Sequence, residues 1–267
     1  MDDTARRQAS EALLNAYASK TSIAPLTETF EKFSIDDAYA IQLLQVEKFL
    51  EAGRTIKGHK VGLTSVAMQK MLGVDTPDYG HLIDEFFYLE HLPIPTATFL
   101  QPRIEPEIAL VLKRPLQGPG VTAAEAISAV DFVVPALEVV DSRIADWKIT
   151  LADTIADNAS SGAVVLGSTP TSLSDVDLRL VGAVMTCDGQ IVGTGAGGAV
   201  LGSPITSLVW LANAVGARGV TLEAGHVILP GALCSMVQVQ PGSIITASFA
   251  GLGTVTAKFS SNEGEDA

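Results

Sequence analysis

The sequence predicts an α+β protein in which a mixed-β body follows an N-terminal helical region. Three observations predict it. Apolar residues recur at helical spacing across residues 4–52, and from residue 80 onward the texture turns to short β-rich runs separated by Pro and Gly. Strand runs and helices do not alternate as regular βαβ units. With 267 residues, 47% of them hydrophobic and 18% charged, the chain can bury one substantial core.

A first helix is expected over residues 4–20, where Ala9, Leu13, Ala16 and Tyr17 share a face, and a second over 35–52. Ser34 is its N-cap, Ala38, Ile41, Leu44, Val46 and Phe49 its apolar stripe, and Gly53 its stop. A short helix over 65–72 ends at Gly73. Strands follow at 86–88, 108–112, 132–140, 163–166, 180–187, 227–229 and 244–259, with Asp188-Gly189 as a hairpin turn and helices at 123–129 and 205–215. This divides the chain into a helical region at 1–80, a mixed-β catalytic body at 81–259 and a flexible acidic tail at 260–267. No internal repeat is visible. Gly193 to Gly198 satisfies GxGxxG, but Gly202-Ser203-Pro204 separates it from the next helix and no acidic residue follows at the ribose-binding distance, so a nucleotide is not expected.

Seventeen Lys+Arg against thirty Asp+Glu give a formal charge of -13, a surface that repels nucleic acid and anionic membrane. Two cysteines, Cys187 and Cys234, without CxxC spacing, argue against a disulfide scaffold and a zinc ribbon and fit a reducing cytoplasm. The N-terminus lacks an apolar signal core, and no uninterrupted apolar stretch reaches membrane-spanning length. An acidic protein that handles a small anion needs a local device such as a bound cation.

That device is suggested by Arg103-Ile104-Glu105-Pro106-Glu107, where two carboxylates two residues apart enter an apolar run. On a strand they share a face and repel each other unless a cation or a proton lies between them. Glu138 is a third carboxylate, embedded in the apolar run 132–140, where an ionised side chain needs a partner. Three carboxylates without His or Cys form a hard oxygen site, which suits Mg²⁺ or Mn²⁺ better than Zn²⁺. Spacing alone leaves a second reading open, with Glu105 and Glu107 solvated on an edge strand and Glu138 paired to Arg103 or Arg143.

Four further segments decide between them: Gly58-His59-Lys60-Val61-Gly62-Leu63-Thr64-Ser65, Pro77-Asp78-Tyr79-Gly80, Asp141-Ser142-Arg143 with Asp146-Trp147-Lys148, and Asp157-Asn158-Ala159-Ser160-Ser161-Gly162. In these the chain resembles the 2-keto-4-pentenoate hydratase and 4-oxalocrotonate decarboxylase family of the fumarylacetoacetase-like superfamily, over nearly its whole length. The resemblance implies a fumarylacetoacetase-like body of rolled sheets. It also implies Glu105, Glu107 and Glu138 as metal ligands, Lys60 and Asp78 as catalytic residues, and Ser160, Ser161, Leu63 and Thr64 as substrate contacts. His59, Arg143 and Trp147 are expected to support these groups, and Cys234 to line the pocket without acting as a nucleophile.

The activity implied is a Mg²⁺- or Mn²⁺-dependent hydration of a 2-hydroxy-2,4-dienoate to a 4-hydroxy-2-oxo acid, in aromatic meta-cleavage catabolism. Decarboxylation of 4-oxalocrotonate and hydration of a longer dienoate such as 2-oxohept-4-ene-1,7-dioate are the alternatives. A non-catalytic partner subunit is the alternative of a different kind, and its signature would be loss of a metal glutamate or of the lysine. The expected partners are a small anionic 2-oxo or 2-hydroxy acid, other copies of the chain in a homo-oligomer, and a pathway neighbour.

Overall fold

The computed structural model describes residues 1–66, 69–70 and 73–261. Its N-terminal helices are α1 (Asp3–Ser19), α2 (Leu26–Thr29) and α3 (Ile35–Glu51). Asp2 caps α1, accepting a hydrogen bond from the Ala5 amide, and Ser34 with Asp37 forms a reciprocal capping box on α3. Two glutamines on the buried face of α3 tie it to the body. Gln42 Nε2 donates to the carbonyls of Tyr79 (2.9 Å) and Ile155 (2.8 Å), and Gln45 Nε2 donates to that of Ala156 (2.7 Å).

The body contains two sheets. One is eight-stranded, in the order β2-β1-β10-β5-β6-β7-β3 with β11 also on β5. Its strands are β1 (Ile56–Gly62), β2 (Asp78–Ile83), β3 (Phe87–Leu89), β5 (Arg103–Leu112), β6 (Val130–Val140), β7 (Ser161–Leu166), β10 (Val227–Leu229) and β11 (Val237–Gln238). The other is five-stranded, in the order β4-β13-β12-β8-β9, built from β4 (Pro93–Ile94), β8 (Gly182–Cys187), β9 (Gln190–Ala196), β12 (Ile244–Phe249) and β13 (Gly253–Phe259). Pairing is largely antiparallel, but β1 runs parallel to β10, β3 to β7 and β4 to β13, so the mixed-sheet expectation holds. Glu105, Glu107 and Ala109 alternate onto one face of β5, and Ala109 continues into an apolar cluster with Leu82, Ala136, Val164 and Leu229. The carboxylates therefore stand at the end of an apolar floor.

Several expectations are corrected. The helical region ends at Glu51, not at residue 80, because β1 and β2 belong to the large sheet. Both are enclosed and lack polar–apolar alternation: β1 reads Ile-Lys-Gly-His-Lys-Val-Gly, and Gly58 is needed because a Cβ there would meet the Val227 carbonyl oxygen at 1.8 Å. The single run 244–259 is a hairpin that turns through Gly251 and Gly253 at φ +77° and +97°. The GxGxxG stretch forms the end of strand β9 and, at Gly197 and Gly198, the 3-10 turn after it, and Gly195 lets the Leu233 backbone approach: a Cβ there would lie 1.9 Å from the Leu233 carbonyl oxygen. The helix Leu151–Ala156, with its Thr150/Asp153 capping box, is an addition to the expected elements. The tail does not begin at 260. Ser260 N donates to the Ile94 carbonyl (3.0 Å), and its own carbonyl accepts from Thr96 Oγ1 (2.7 Å). Residues 262–267, and part of the helix expected over 65–72, lie outside the described residues.

One stretch, Gly197–Gly216, passes a length-and-hydropathy test for crossing a membrane. Its α-helix covers only Pro204–Gly216, about 20 Å against the roughly 30 Å hydrocarbon core, and buries Leu208, Leu211, Ala212 and Val215 in the body.

Candidate active site

The β5–β6 register places Glu105 directly opposite Glu138, and Glu107 shares their face. Carboxylate oxygens of the three residues lie within 4.8 Å of one another. Glu107 and Glu138 are enclosed. Glu107 Oε2 accepts the Gly231 amide at 2.7 Å, while among the described residues its Oε1 and both Glu138 oxygens have no hydrogen-bond partner. The cation facing them is Lys60, whose Nζ is 3.3 Å from Glu138 Oε1.

The electrostatics follow from this crowding. Burial, and then repulsion from Glu138, pushes the Glu105 carboxyl up to about 8. Burial and the same neighbours raise Glu107 well above the usual carboxylate range, and burial raises Glu138 despite Lys60. One ammonium does not neutralise three enclosed carboxylates. Orphaned oxygens converging in a hard, all-carboxylate donor set fit a divalent cation held by Glu105, Glu107 and Glu138. The alternative reading of an edge strand fails: β5 lies between β10 and β6, and neither Arg103 nor Arg143 pairs with Glu138.

Lys60 is 3% exposed. Burial opposes its charge, but Glu138, Asp78, Glu105 and Glu107 outweigh that and hold the ammonium above its ordinary range. Its Nζ also donates to the Ala159 carbonyl at 3.0 Å. Asp78 is enclosed beside it, with Oδ1 lacking a hydrogen-bond partner among the described residues and the carboxyl raised by burial against the pull of Lys60. Gly62, paired with Asp78 across the strands, leaves the room: a Cβ there would lie 2.1 Å from Asp78 Oδ1 and 3.5 Å from Lys60 Nζ.

The Ala159 carbonyl is aimed by a strained turn. Asn158, Ala159 and Ser160 all adopt left-handed φ values of 52°, 50° and 54°. Asn158 is clamped to β2, accepting from the His81 amide (2.8 Å) and donating to the His81 carbonyl (2.9 Å). Beneath the turn, the fully enclosed Arg143 donates from Nε to Asp157 Oδ1 (2.5 Å), from Nη1 to the Ser161 carbonyl (3.0 Å) and from Nη2 to the Asp157 carbonyl (2.7 Å). Arg143, from the loop after Glu138, thus braces the 157–161 turn.

A cavity of about 510 Å³ opens over these groups. Lys60, Asp78 and Glu105 line it with Leu63, Thr64 and Ser160, whereas Glu107 and Glu138 lie behind its surface. Ser161 is not in the wall. It starts β7 and turns toward β2, so that a Cβ on Gly80 would meet Ser161 Oγ at 3.0 Å. His59 does not touch Lys60: strand alternation puts it on the opposite face, against the rings of His81 (4.7 Å between centroids) and His226 (5.8 Å). Cys234 lines the cavity with its thiol pushed up to about 11 by burial and by Glu105, which suits a wall and not a nucleophile. Arg103 and Trp147 also line it, whereas sequence reasoning gave Trp147 only a supporting role.

Residues 65–260 match the fumarylacetoacetate (FAA) hydrolase C-terminal family. The chain belongs to this family. It is 47% identical over 258 residues to a 2-keto-4-pentenoate hydratase of Paraburkholderia xenovorans (strain LB400), covering 97% of this chain and 96% of that one. It is 46% identical over 222 residues to a 2-hydroxypent-2,4-dienoate hydratase of Pseudomonas putida, covering 82% of this chain and all of that one. Among solved structures, the 4-oxalocrotonate decarboxylase from Pseudomonas putida G7, complexed with magnesium and adipate, superposes with a TM-score of 0.94 at 38% identity, over 97% of this chain and 98% of that chain. The fumarylacetoacetase-like fold is thereby established for this family member.

Proposed function

We propose that this protein is a divalent-metal-dependent hydro-lyase that converts a 2-hydroxy-2,4-dienoate of the 2-keto-4-pentenoate type into a 4-hydroxy-2-oxo acid. The observation that carries this reading is the convergence of Glu105, Glu107 and Glu138 with Lys60 and Asp78 at one cavity, in a chain 47% identical to a hydratase. All five groups are present, which argues against a non-catalytic partner subunit. The identity favours hydratase over decarboxylase, 47% against 38%.

Glu105, Glu107 and Glu138 would hold a Mg²⁺ or Mn²⁺ ion, which would supply Lewis acidity toward the oxygen on C2 of the substrate. The reaction needs a proton delivered to C5 of the dienol while the C2 hydroxyl gives up its own, which yields the conjugated 2-oxo-3-enoate, and then water added with its oxygen at C4 and a proton at C3. Lys60 carries the proton that can be delivered: one N–H is committed to Ala159, another faces Glu138, and a third is free for substrate. Asp78, enclosed beside Lys60, takes first the C2 hydroxyl proton and then one from the attacking water and passes each to Lys60, which delivers one to C5 and one to C3, so both groups end as they began. Ser160, Thr64 and Leu63 bound the space in which the substrate lies.

The cytoplasm is the compartment we assign, supported by two unpaired cysteines, and the assembly we expect is a homo-oligomer, read by sedimentation. The functional test is ultraviolet absorbance on metal-free protein, with and without Mg²⁺ or Mn²⁺, given 2-hydroxypenta-2,4-dienoate and 4-oxalocrotonate in parallel. Metal-dependent gain of water by the dienoate is the expected result. CO₂ release from 4-oxalocrotonate alone would transfer the assignment to the decarboxylase, and turnover only of a longer dienoate would change the substrate.

A further inference from the structure

The cavity wall carries a cation that none of the steps above uses. Arg103, Glu105 and Glu107 alternate onto one face of β5, so Arg103 stands on the face of the three glutamates and lines the cavity roughly 7 Å along the strand from Glu105. Its guanidinium carbon lies 4.4 Å from the centre of the Trp147 ring. That ring is fixed in turn: Asp146 and Trp147 are left-handed (φ 59° and 56°), and Trp147 Nε1 donates to the Gln101 carbonyl at 3.1 Å. Stacking occupies the face of a guanidinium and leaves its N–H edge available. Among the described residues the Arg103 side chain has no hydrogen bond or ion pair, whereas Lys60, the other cation of the wall, is committed to Glu138 and Ala159.

We propose that Arg103, oriented by Trp147, is the carboxylate-recognition residue of this site, pairing with the carboxylate on C1 of the 2-oxo or 2-hydroxy acid. The proposal deepens the hydratase reading and rests on it for the substrate class. Its basis is charge balance. With a divalent ion on the glutamates and Lys60 counted, the four carboxylates Glu105, Glu107, Glu138 and Asp78 still leave a formal excess of one negative charge, so an incoming monocarboxylate gains from an uncommitted cation beside the ion, and Arg103 is the one the described wall offers. Guanidinium geometry suits it, since two in-plane N–H groups match the two oxygens of a carboxylate.

The test is calorimetric binding of 2-oxopentanoate, a saturated acid that cannot be hydrated, to the Mn²⁺-loaded protein and to its Arg103→Gln, Arg103→Lys and Trp147→Phe variants. Mn²⁺ affinity is measured separately on each by electron paramagnetic resonance. Arg103→Gln should weaken 2-oxopentanoate roughly 10- to 100-fold, the loss of a charged hydrogen-bonded pair, with Mn²⁺ affinity changed less than about twofold. Arg103→Lys should recover part of the binding, and Trp147→Phe should lose several-fold. With 2-hydroxypenta-2,4-dienoate as substrate, KM should rise by the same factor while kcat changes little.

Three results would overturn the proposal. They are unchanged 2-oxopentanoate binding in Arg103→Gln, a parallel fall in Mn²⁺ affinity, and a loss confined to dicarboxylic 2-oxo acids, which would move Arg103 to the distal end of the substrate. Because 2-oxopentanoate binding does not require turnover, failure of the hydratase reading shows as inactivity with Arg103-dependent binding intact.

Discussion

Replacing Asp157 by Asn is expected to destabilise the protein by about 3–5 kcal/mol, a large share of the roughly 5–15 kcal/mol that holds a domain folded. The side chain keeps its shape, but Arg143, with no exposure at all, loses its counter-charge. In the native protein Asp157 Oδ1 takes the Nε proton at 2.5 Å and Oδ2 takes the Arg143 amide at 3.0 Å. What remains in contact with the guanidinium is two backbone carbonyls and the Tyr17 ring at 4.3 Å, with Asp141 acting on it only through space, its carboxylate being engaged by the Leu100 and Gln101 amides. Urea unfolding monitored by circular dichroism measures the cost, and a cycle with Arg143→Met isolates the pair. The double variant should recover at least ~2 kcal/mol relative to the sum of the singles, because it buries no unpaired charge. A cost below about 1 kcal/mol for Asp157→Asn, or strict additivity in the cycle, would refute the claim that an enclosed ion pair supports the 158–160 turn.

Three other expectations concern the site and its surroundings. Glu107→Gln keeps an acceptor for the Gly231 amide but removes one of three crowded charges, so the metal-free protein should melt higher while Mn²⁺ affinity, read by calorimetry, falls at least about 100-fold. Burial holds His59 neutral and pushes His81 down to about 4, so the unfolded chain takes up protons first. Their contribution to stability is full above about 6.5 and is lost as the pH falls toward 4. Between pH 7.5 and 5.5 the parent should therefore lose about 1.3 kcal/mol more than His81→Asn, as measured by denaturant midpoints. Gly195→Ala drives a Cβ to 1.9 Å from the Leu233 carbonyl oxygen, so it should cost about 2 kcal/mol or more and raise KM by displacing the cavity wall at Leu233 and Cys234.

The three clustered glutamates were legible because charge inside an apolar run is conspicuous. Glu105 and Glu107 at i and i+2, and Glu138 within Phe132–Val140, announce a buried charge that must be matched. The strands that carry Lys60 and Asp78 were not, since β1 and β2 are enclosed and interrupted by Gly, His and Lys, which erases the period of two on which a strand reading depends. Ser161 was misplaced by one step of alternation: the left-handed turn ends at Ser160, and the next side chain leaves the cavity. The Leu151–Ala156 helix did carry a signal, Thr150 three residues before Asp153, but its six residues are too few to show a stripe. Nothing local brings Trp147 over Arg103; that contact follows from the left-handed Asp146–Trp147 pair and the folding of β6 beside β5.

The boundary of the family match falls inside the candidate site. The matched segment, 65–260, contains Glu105, Glu107 and Glu138 but not Lys60, nor α3, whose Gln42 and Gln45 grip the backbone of β2 and of the helix before the strained turn. Lys60 nevertheless stands in the same sheet, on β1, with its Nζ 3.3 Å from Glu138 Oε1. Cutting the chain at residue 65 would therefore strip the three carboxylates of the ammonium that faces them and β2 of the helix that grips it, so the matched segment is not a self-sufficient unit in this protein.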